Sequence, residues 1–575
     1  MRFLLLACDY DETLARHGRV DEGTMAALSR LTASGRKLIL VTGRSLDDLL
    51  SVFPDVRLFT RLVVENGAIS YDPSTRTAKR FGERPPPEFI TLLESRGVAP
   101  LFVGDVIVAT REPHEGTVLG VIRELGLGHQ VIFNKGAVMV LPSGVDKGTG
   151  LCSALDELGL SPHNVVGIGD AENDHAFVRR CEVAAAVKNA LPLLRQRADI
   201  VMSGEASDGV VELIDELVST DLARFEEALV RHHLPLGTRR DGLAFRIAPY
   251  GTNILIAGPS GSGKSQITTA LMERIIEAGY QTCLIDPEGD YQELDGAVSV
   301  GENDKSPSVD EVLQLLKNPS QQVVVNLLGV PLADRPTFFA SLLPRLQGLR
   351  TRTGRPHWIL VDEAHHLLPS SWDPASLTVP QNLGSLVAVT VHPAHVSAAI
   401  LKTIKLVLSV GANPEATLAS FAEAIGQPPP QWDETGAKTD GVKEGEVVAW
   451  SPASREPPVR IEVTPAGWVH RRHRRKYAHG DLGPDRSFYF RGPHGKLKLR
   501  AQNLVFFLQI AEGVDESTWL FHLRRGDYSR WFREHIKDEI LARSVEQIEQ
   551  STKATASTTR SLVRRAIEER YTLPT

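Results

Sequence analysis

Asp9 and Asp11 stand two residues apart, directly behind the apolar run Phe3-Leu4-Leu5-Leu6-Ala7. Carboxylates at that spacing can divide one reaction, one acting as nucleophile and the other as proton donor. Groups suited to the same chemistry follow in order along the chain. Thr42 ends the run Lys37-Leu38-Ile39-Leu40-Val41 and offers a hydroxyl to a phosphate oxygen. Lys147, in Asp146-Lys147-Gly148-Thr149, can neutralise charge between Asp9 and a phosphate. Asp170 and Asp174, in Gly169-Asp170-Ala171-Glu172-Asn173-Asp174, are hard oxygen ligands. Mg²⁺ takes only a few carboxylates and keeps several waters. Asp9, Asp11, Asp170 and Asp174 therefore form the candidate metal set. A single acidic pair means little in a chain with 71 Asp and Glu. The ordered series, each member at the end of an apolar run, carries the reading.

A second constellation lies mid-chain. Thr252-Asn253-Ile254-Leu255-Ile256-Ala257 runs into Gly258-Pro259-Ser260-Gly261-Ser262-Gly263-Lys264-Ser265, followed by a helical pattern. This is G-x-x-x-x-G-K-S between a strand and a helix. Gly258, Gly261 and Gly263 let backbone N–H groups surround phosphates, Lys264 reaches the outer oxygens, and Ser265 ligates Mg²⁺. Trp358-Ile359-Leu360-Val361 ends in Asp362-Glu363. Asp362 suits the Mg²⁺ shell beside Ser265, and Glu363 suits the polarisation of an attacking water. A Glu at that place favours hydrolysis over group transfer. Thr390 and His392 follow the apolar run Leu386-Val387-Ala388-Val389, and Arg335, Arg345, Arg350 and Arg352 stand between the two motifs. His365 and His366 are read as helix surface.

Both constellations need parallel strands with helices between them. Apolar runs that stop at polar residues, separated by helical patterns such as Met25, Leu28 and Leu31, predict an open α/β sheet that binds ligands at its strand ends. Residues 80–142 interrupt this alternation with Pro85-Pro86-Pro87, short β-type runs and a helical stretch from Gly116 to Leu125. The expected organisation is residues 1–220 as the first domain and 225–466 as the nucleotide domain, closed by strands at 446–450 and 459–463. A basic linker at 467–486 and a small, mainly helical domain at 487–575 complete it. The linker holds His470-Arg471-Arg472-His473-Arg474-Arg475-Lys476. The aromatics beyond it, among them Phe488, Phe507, Trp519 and Trp531, read as core, and the residues after Gln547 as an exposed end.

Asp9-x-Asp11-x-Thr13, Thr42-Gly43-Arg44, Glu65-Asn66-Gly67-Ala68, Lys147 and Gly169-Asp170-x-x-Asn173-Asp174 together resemble the haloacid dehalogenase (HAD) phosphohydrolases of the type IIB, Cof-like and sucrose-phosphatase-like group. The resemblance implies an α/β cap at about 80–142, an aspartyl-phosphate on Asp9, acid–base work by Asp11, and a small sugar phosphate as substrate. The middle region is similar to HerA/FtsK-type ATPases, through the phosphate loop, Asp286-Pro287-Glu288-Gly289-Asp290-Tyr291 and Asp362-Glu363-Ala364-His365-His366. That resemblance implies ATP as ligand and substrate, a ring or other homo-oligomer, and action on DNA in many members. It also implies a polar sensor, a place in which Thr390 or His392 must serve, and an arginine that reaches the phosphate, with Arg335, Arg345, Arg350 and Arg352 among the candidates. A catalytic residue supplied by a neighbouring subunit is implied as well.

Length and composition bound these readings. A chain of 575 residues holds about three to four domains at roughly 150 residues each. At 42% hydrophobic and 23% charged it has material for several cores. Cys8, Cys152, Cys181 and Cys283 are scattered, without metal spacing, which points to a reducing, cytoplasmic setting without structural disulfides. No apolar run reaches the ~18 residues of a membrane span. From Trp468 onward there are 21 Lys and Arg against 13 Asp and Glu, a local +8, which leaves −15 of the overall −7 on residues 1–467. That acidic majority opposes a polyanion, so a metabolic phosphatase with an attached ATPase is preferred. A DNA-associated translocase with an end-processing phosphatase, and a nucleotide-gated scaffold, are the alternatives.

Overall fold

The computed structural model describes the chain except at positions 293, 295, 303, 372–384, 433–441, 444, 455, 468–476, 478–481, 483–485, 494, 496, 537, 552–554 and 572–575. The basic cluster at 470–476 lies outside the described residues. Two compact units are present. One comprises Met1–His233 with Leu316–Ser320 and Arg345–His357; the other comprises Leu234–Leu315, Gln321–Pro344 and Trp358–Thr575.

The first unit is built on an eight-stranded sheet. Its order is Ile200–Val201, Val183–Ala186, Val165–Gly169, Leu5–Cys8, Lys37–Val41, Arg61–Val64, Ile69–Asp72 and Thr77–Arg80. The six strands from Ile200–Val201 to Arg61–Val64 are parallel, and the last two join antiparallel. A parallel sheet covered on both faces needs strands apolar on both sides, and Leu5–Cys8 and Val165–Gly169 are buried throughout. Asp9 and Asp170 are the first residues past two adjacent strands, because Cys8 pairs with Ile168. The cap is a second, four-stranded antiparallel sheet in the order Phe102–Val103, Val108–Arg111, Ala137–Pro142 and His129–Asn134. Helices Pro87–Ser95 and Glu115–Glu124 contribute to its own core around Phe89, Leu93, Val118 and Val121.

The second unit carries an eleven-stranded sheet. Its parallel part runs Leu406–Val410, Ile254–Ala257, Ser385–Thr390, Trp358–Val361, Thr282–Asp286, Gln322–Asn326 and Ala297–Val300. Glu446–Trp450, Val459–Val463, Leu234–Arg239 and Ala244–Ile247 extend the Leu406–Val410 edge in antiparallel fashion. Beyond it, helices Leu504–Gly513, Glu516–Arg524, Asp527–Glu534, Glu539–Glu549 and Ala556–Tyr571 enclose Phe488, Phe490, Phe507, Trp519, Tyr528 and Trp531. The chain end differs from the expected exposed tail. Ala556, Thr559, Val563 and Ile567 form a buried stripe along a 16-residue helix; their spacing by three and four puts one face into the core. Among the described residues, no helix is long and apolar enough to cross a membrane.

Candidate active site

Lys147 organises the first site. It is the first residue of helix Lys147–Leu158, whose N-cap Asp146 accepts from Thr149 N while Thr149 Oγ1 accepts from Asp146 N. This reciprocal capping box fixes where the helix starts. The lysine is 2% exposed, and its Nζ donates to Asp9 Oδ1 and Asp174 Oδ1, each at 2.6 Å. Asp174 Oδ2 accepts from the backbone N–H groups of Asp170 and Ala171 at 2.8 and 2.9 Å. The carboxylates of Asp9, Asp170 and Asp174 are all buried, with one oxygen of each within 4.8 Å of the others. Burial, with Asp174 next, pushes the Asp9 carboxyl above its usual range while Lys147 opposes this. Burial raises Asp170 as well. For Lys147, burial works against the charge, but Asp174 and Asp9 outweigh it and the ammonium is held protonated.

Three buried carboxylates converging to one small volume are a hard-oxygen donor set of the kind Mg²⁺ takes. Asp11 is not part of that group. Its two oxygens accept from Arg44 Nε and Nη2 at 2.8 and 2.7 Å, a bidentate fork. Thr42 is buried, and its Oγ1 accepts from Arg44 N at 3.2 Å, so its own hydrogen remains available to a phosphate.

One participant, Lys135, escaped the sequence reading, and Glu65 and Asn66 enter that reading only within a motif, without the roles they take here. Lys135, in the turn Asn134-Lys135-Gly136 between two cap strands, donates from Nζ to Asp170 Oδ2 at 2.7 Å. A lysine in a tight turn, with φ of 47°, between two apolar runs is the signal that could have found it. Glu65 is 1% exposed, and its carboxylate accepts from the backbone N–H groups of Asp105, Val106 and Ile107. Asn66 Oδ1 accepts from Asn173 Nδ2 at 2.9 Å. The following glycine is required: Gly67 has φ of 101°, and a Cβ there would lie 1.9 Å from the Asp146 carbonyl oxygen.

In the second unit, strand Ile254–Ala257 leads through the loop to helix Lys264–Glu277, with Gly261 and Gly263 at φ of 74° and 98°. The Gly263 value is one that only glycine adopts readily, and it lets the loop close on the first turn of the helix. Lys264 Nζ donates to Pro259 O at 2.9 Å. A cavity of about 450 Å³ opens here, lined by Gly261, Gly263, Lys264 and Ser265 and faced by Asp362 and Glu363. Gly258 precedes the lining residues at the end of the strand, where its N–H donates to Thr390 O at 3.4 Å. Burial, then Glu363, Asp286 and Asp290, push Asp362 well above the carboxylate range. Glu363 takes a left-handed φ of 42°.

His365 is not helix surface. Its Nδ1 meets Thr390 Oγ1 at 3.2 Å and Glu363 Oε2 at 3.4 Å, with only 17% of its side chain exposed. Burial, then His366, His392 and His395, push it down to about 4. Thr390 also accepts from His392 N at 3.2 Å. None of Arg335, Arg345, Arg350 and Arg352 lines the cavity.

Comparison with known proteins agrees with this geometry. Residues 6–116 and 125–214 match the haloacid dehalogenase-like hydrolase family. Phosphoglycolate phosphatase 2 of Saccharolobus solfataricus is 27% identical over 226 residues, covering 38% of this chain and 95% of that protein. Phosphoglycolate phosphatase of Methanothermobacter thermautotrophicus is 26% identical over 219 residues, covering 36% and 96%. Among solved structures, the sucrose-phosphatase from Synechocystis sp. PCC6803 is 20% identical with a TM-score of 0.31, over 38% of this chain and 98% of that one. The N-terminal part is similar to the haloacid dehalogenase-like hydrolases. Residues 250–327 match the family described as Helicase HerA, central domain. The chain thus joins a region similar to haloacid dehalogenase-like hydrolases to one similar to the HerA central domain.

Proposed function

We propose that the first unit is a Mg²⁺-dependent phosphomonoesterase acting through an aspartyl-phosphate on Asp9. The observation that carries this is Lys147, which bridges Asp9 and Asp174 at 2.6 Å each while Asp170 converges on the same point. An Asp9 oxygen bonds to phosphorus as the ester P–O bond breaks, and Asp11 gives its proton to the leaving oxygen. Asp11 then takes a proton from the water that cleaves the acyl phosphate, returning Asp9 and releasing phosphate. For this, Asp11 exchanges its Arg44 partner for the leaving oxygen. Thr42 and Lys147 hold the phosphoryl oxygens, and Asp9, Asp170 and Asp174 would hold Mg²⁺, with Asp11 beside them. The ion supplies positive charge against the phosphate.

The substrate reading is a small phosphate ester closed over by the cap. A sugar phosphate is the expectation from the type IIB resemblance, and the phosphoglycolate phosphatases among the relatives favour an ester that carries a carboxylate. Lys135 at the cap turn is placed to meet such a second anionic group. The test is phosphate release from 2-phosphoglycolate, a panel of sugar phosphates and p-nitrophenyl phosphate, with Mg²⁺ and with EDTA. We expect Asp9→Asn to lose several powers of ten in kcat, the scale of other nucleophile knockouts. Undiminished release by Asp9→Asn sinks the mechanism.

In the second unit, Lys264 and Ser265 bind the phosphates of ATP and its Mg²⁺, Asp362 completes the metal shell, and Glu363 activates water. The shared cavity of the phosphate loop, Asp362 and Glu363 supports this. Glu363→Gln is expected to bind ATP and hardly hydrolyse it; turnover at the wild-type rate refutes the role of Glu363. The fusion reads best as a cytoplasmic metabolic phosphatase whose ATPase sets activity or assembly, with a homo-oligomer as its working form. The DNA-processing alternative predicts steep salt-dependent binding to DNA and DNA-stimulated ATP hydrolysis.

A further inference from the structure

The C-terminal helical domain contributes a wall of the cavity that holds the phosphate loop. Arg570 and Tyr571, in the last turn of helix Ala556–Tyr571, line it together with Asp538 and Ile540 at the start of helix Glu539–Glu549. The loop side of the cavity is strongly acidic: Glu288, Asp290, Asp362 and Glu363 face one lysine, Lys264. A triphosphate adds further negative charge, and phosphoryl transfer gains most from a cation placed where that charge develops. The HerA resemblance implies that such a cation comes from a neighbouring subunit. Among the described residues, Arg570 is the arginine that already lines the cavity from the same chain.

Its setting suits that task. Arg570 Nε donates to Asp538 Oδ2 at 2.8 Å, and Tyr571 OH donates to the same oxygen at 2.9 Å. Asp538 is itself the N-cap of its helix, accepting from Leu541 N at 2.9 Å. The bearing helix is anchored by Val563 and Ile567 at 0% exposure, while the Arg570 side chain keeps 38%. The guanidinium is thus parked by one nitrogen on a fixed carboxylate, and its two terminal nitrogens can turn to a phosphate in the bidentate manner arginine favours.

We propose that Arg570 is a catalytic residue of ATP hydrolysis acting in cis, so that the C-terminal helical domain completes the ATPase site of its own chain. The inference rests on the ATPase reading above. A water oxygen bonds to the γ-phosphorus as the bond from that phosphorus to the β–γ bridging oxygen breaks. Glu363 takes the water's proton, and ADP and phosphate leave. Arg570 meets the charge that builds on the γ-phosphoryl and bridging oxygens.

The test is steady-state ATP hydrolysis by the full-length protein. Arg570→Ala is expected to lower kcat by about 10³-fold, the lower end for arginine fingers, with KM for ATP and binding of a fluorescent ATP analogue nearly unchanged. Arg570→Lys should fall between Arg570→Ala and wild type. Should Arg570→Ala melt early, Arg570→Gln carries the test with the same expected loss, because it keeps the stem and a donor for Asp538 without the charge. Wild-type turnover per chain should be independent of protein concentration. A mixture of Arg570→Ala and Lys264→Ala should remain as inactive as its parts. Recovery in that mixture would show the arginine acting across subunits and overturn the cis assignment. Unchanged kcat in Arg570→Ala, alongside turnover lost in Glu363→Gln, would overturn this inference alone. Absence of turnover in wild type would overturn the ATPase reading and this inference with it.

Discussion

Glu65 offers the sharpest quantitative test of how the cap is held. Its carboxylate accepts three backbone N–H bonds, from Asp105 at 2.7 Å, Val106 at 2.8 Å and Ile107 at 3.0 Å, and is 1% exposed. Those three residues lead directly into the cap strand Val108–Arg111. Hydrogen bonds to a charged group contribute roughly 1.5–3 kcal/mol each, and a buried donor left unpaired costs about 1–3 kcal/mol. Glu65→Gln keeps the shape but turns one acceptor oxygen into a donor. Asp105 N uses Oε1, whereas Val106 N and Ile107 N share Oε2. The amide will therefore set its oxygen toward the pair and lose the bond to Asp105, at a cost of about 1–3 kcal/mol. Glu65→Ala removes all three acceptors, and we expect about 3–5 kcal/mol, below the simple sum because water reaches the gap. A chain with several domains does not unfold in one step, so a global midpoint is a poor readout. Hydrogen exchange at the amides of 105–107 reads the local effect directly, with phosphatase kcat alongside. Exchange should accelerate in the order wild type, Glu65→Gln, Glu65→Ala, and activity should fall in the same order. Unchanged protection of these amides in Glu65→Ala would refute the clamp.

Two further predictions follow from the same geometry. Lys135→Ala should raise KM for an ester bearing a second anionic group much more than for p-nitrophenyl phosphate; equal effects on both would assign Lys135 to Asp170 alone. His365 has its folded pKa lowered to about 4, so the unfolded chain takes up the proton first as pH falls from about 6.5. The stability tied to its neutral form is present above that pH and is lost toward pH 4, by up to about 3 kcal/mol at 1.36 kcal/mol per unit. Hydrogen-exchange protection of the Ser385–Thr390 amides, referred to the intrinsic rate at each pH from 7 to 4.5, should show this slope, shallower in His365→Gln. An identical slope in both proteins would remove His365 as its source.

Each residue read as chemical from the sequence sits at the end of an apolar strand or at a helix start. That is where the physics of an open parallel sheet makes function legible. Leu5–Cys8 and Val165–Gly169 are buried on both faces, so their apolar runs end abruptly at Asp9 and Asp170. Lys135 followed no such rule, and Glu65, although it directly follows the strand Arg61–Val64, has a role that the rule does not give. Lys135 lies on a turn whose meaning depends on where the cap sheet carries it, and Glu65 acts on backbone groups forty residues away, which leave no mark on side-chain pattern. His365 misled because a helical pattern of polar residues reads as surface, whereas Thr390 on the strand Ser385–Thr390 meets it at 3.2 Å. The helix Ala556–Tyr571 was obscured by composition. Its buried stripe of Ala, Thr, Val and Ile lies among Ser, Thr and Arg, and so sparse an apolar face resembles a solvated end.

The two sites solve one electrostatic problem in the same way. Each gathers more carboxylates than cations: Asp9, Asp170 and Asp174 against Lys147 and Lys135, and Glu288, Asp290, Asp362 and Glu363 against Lys264 and Arg570. Burying an unbalanced carboxylate is costly enough that the group takes up a proton instead, which is the direction in which Asp9, Asp170 and Asp362 are all displaced. A carboxylate displaced in that direction is a weaker nucleophile and a weaker ligand unless positive charge is supplied. More lysines would restore the charge but would also hold a phosphate too well to release it. On the proposed function a divalent ion with exchangeable waters would supply the charge when the phosphate is present, and in the first site Lys147 bridges Asp9 and Asp174 without it. On this reading Lys147 is the fixed part of the first site, and Mg²⁺ would be the part that comes with the substrate.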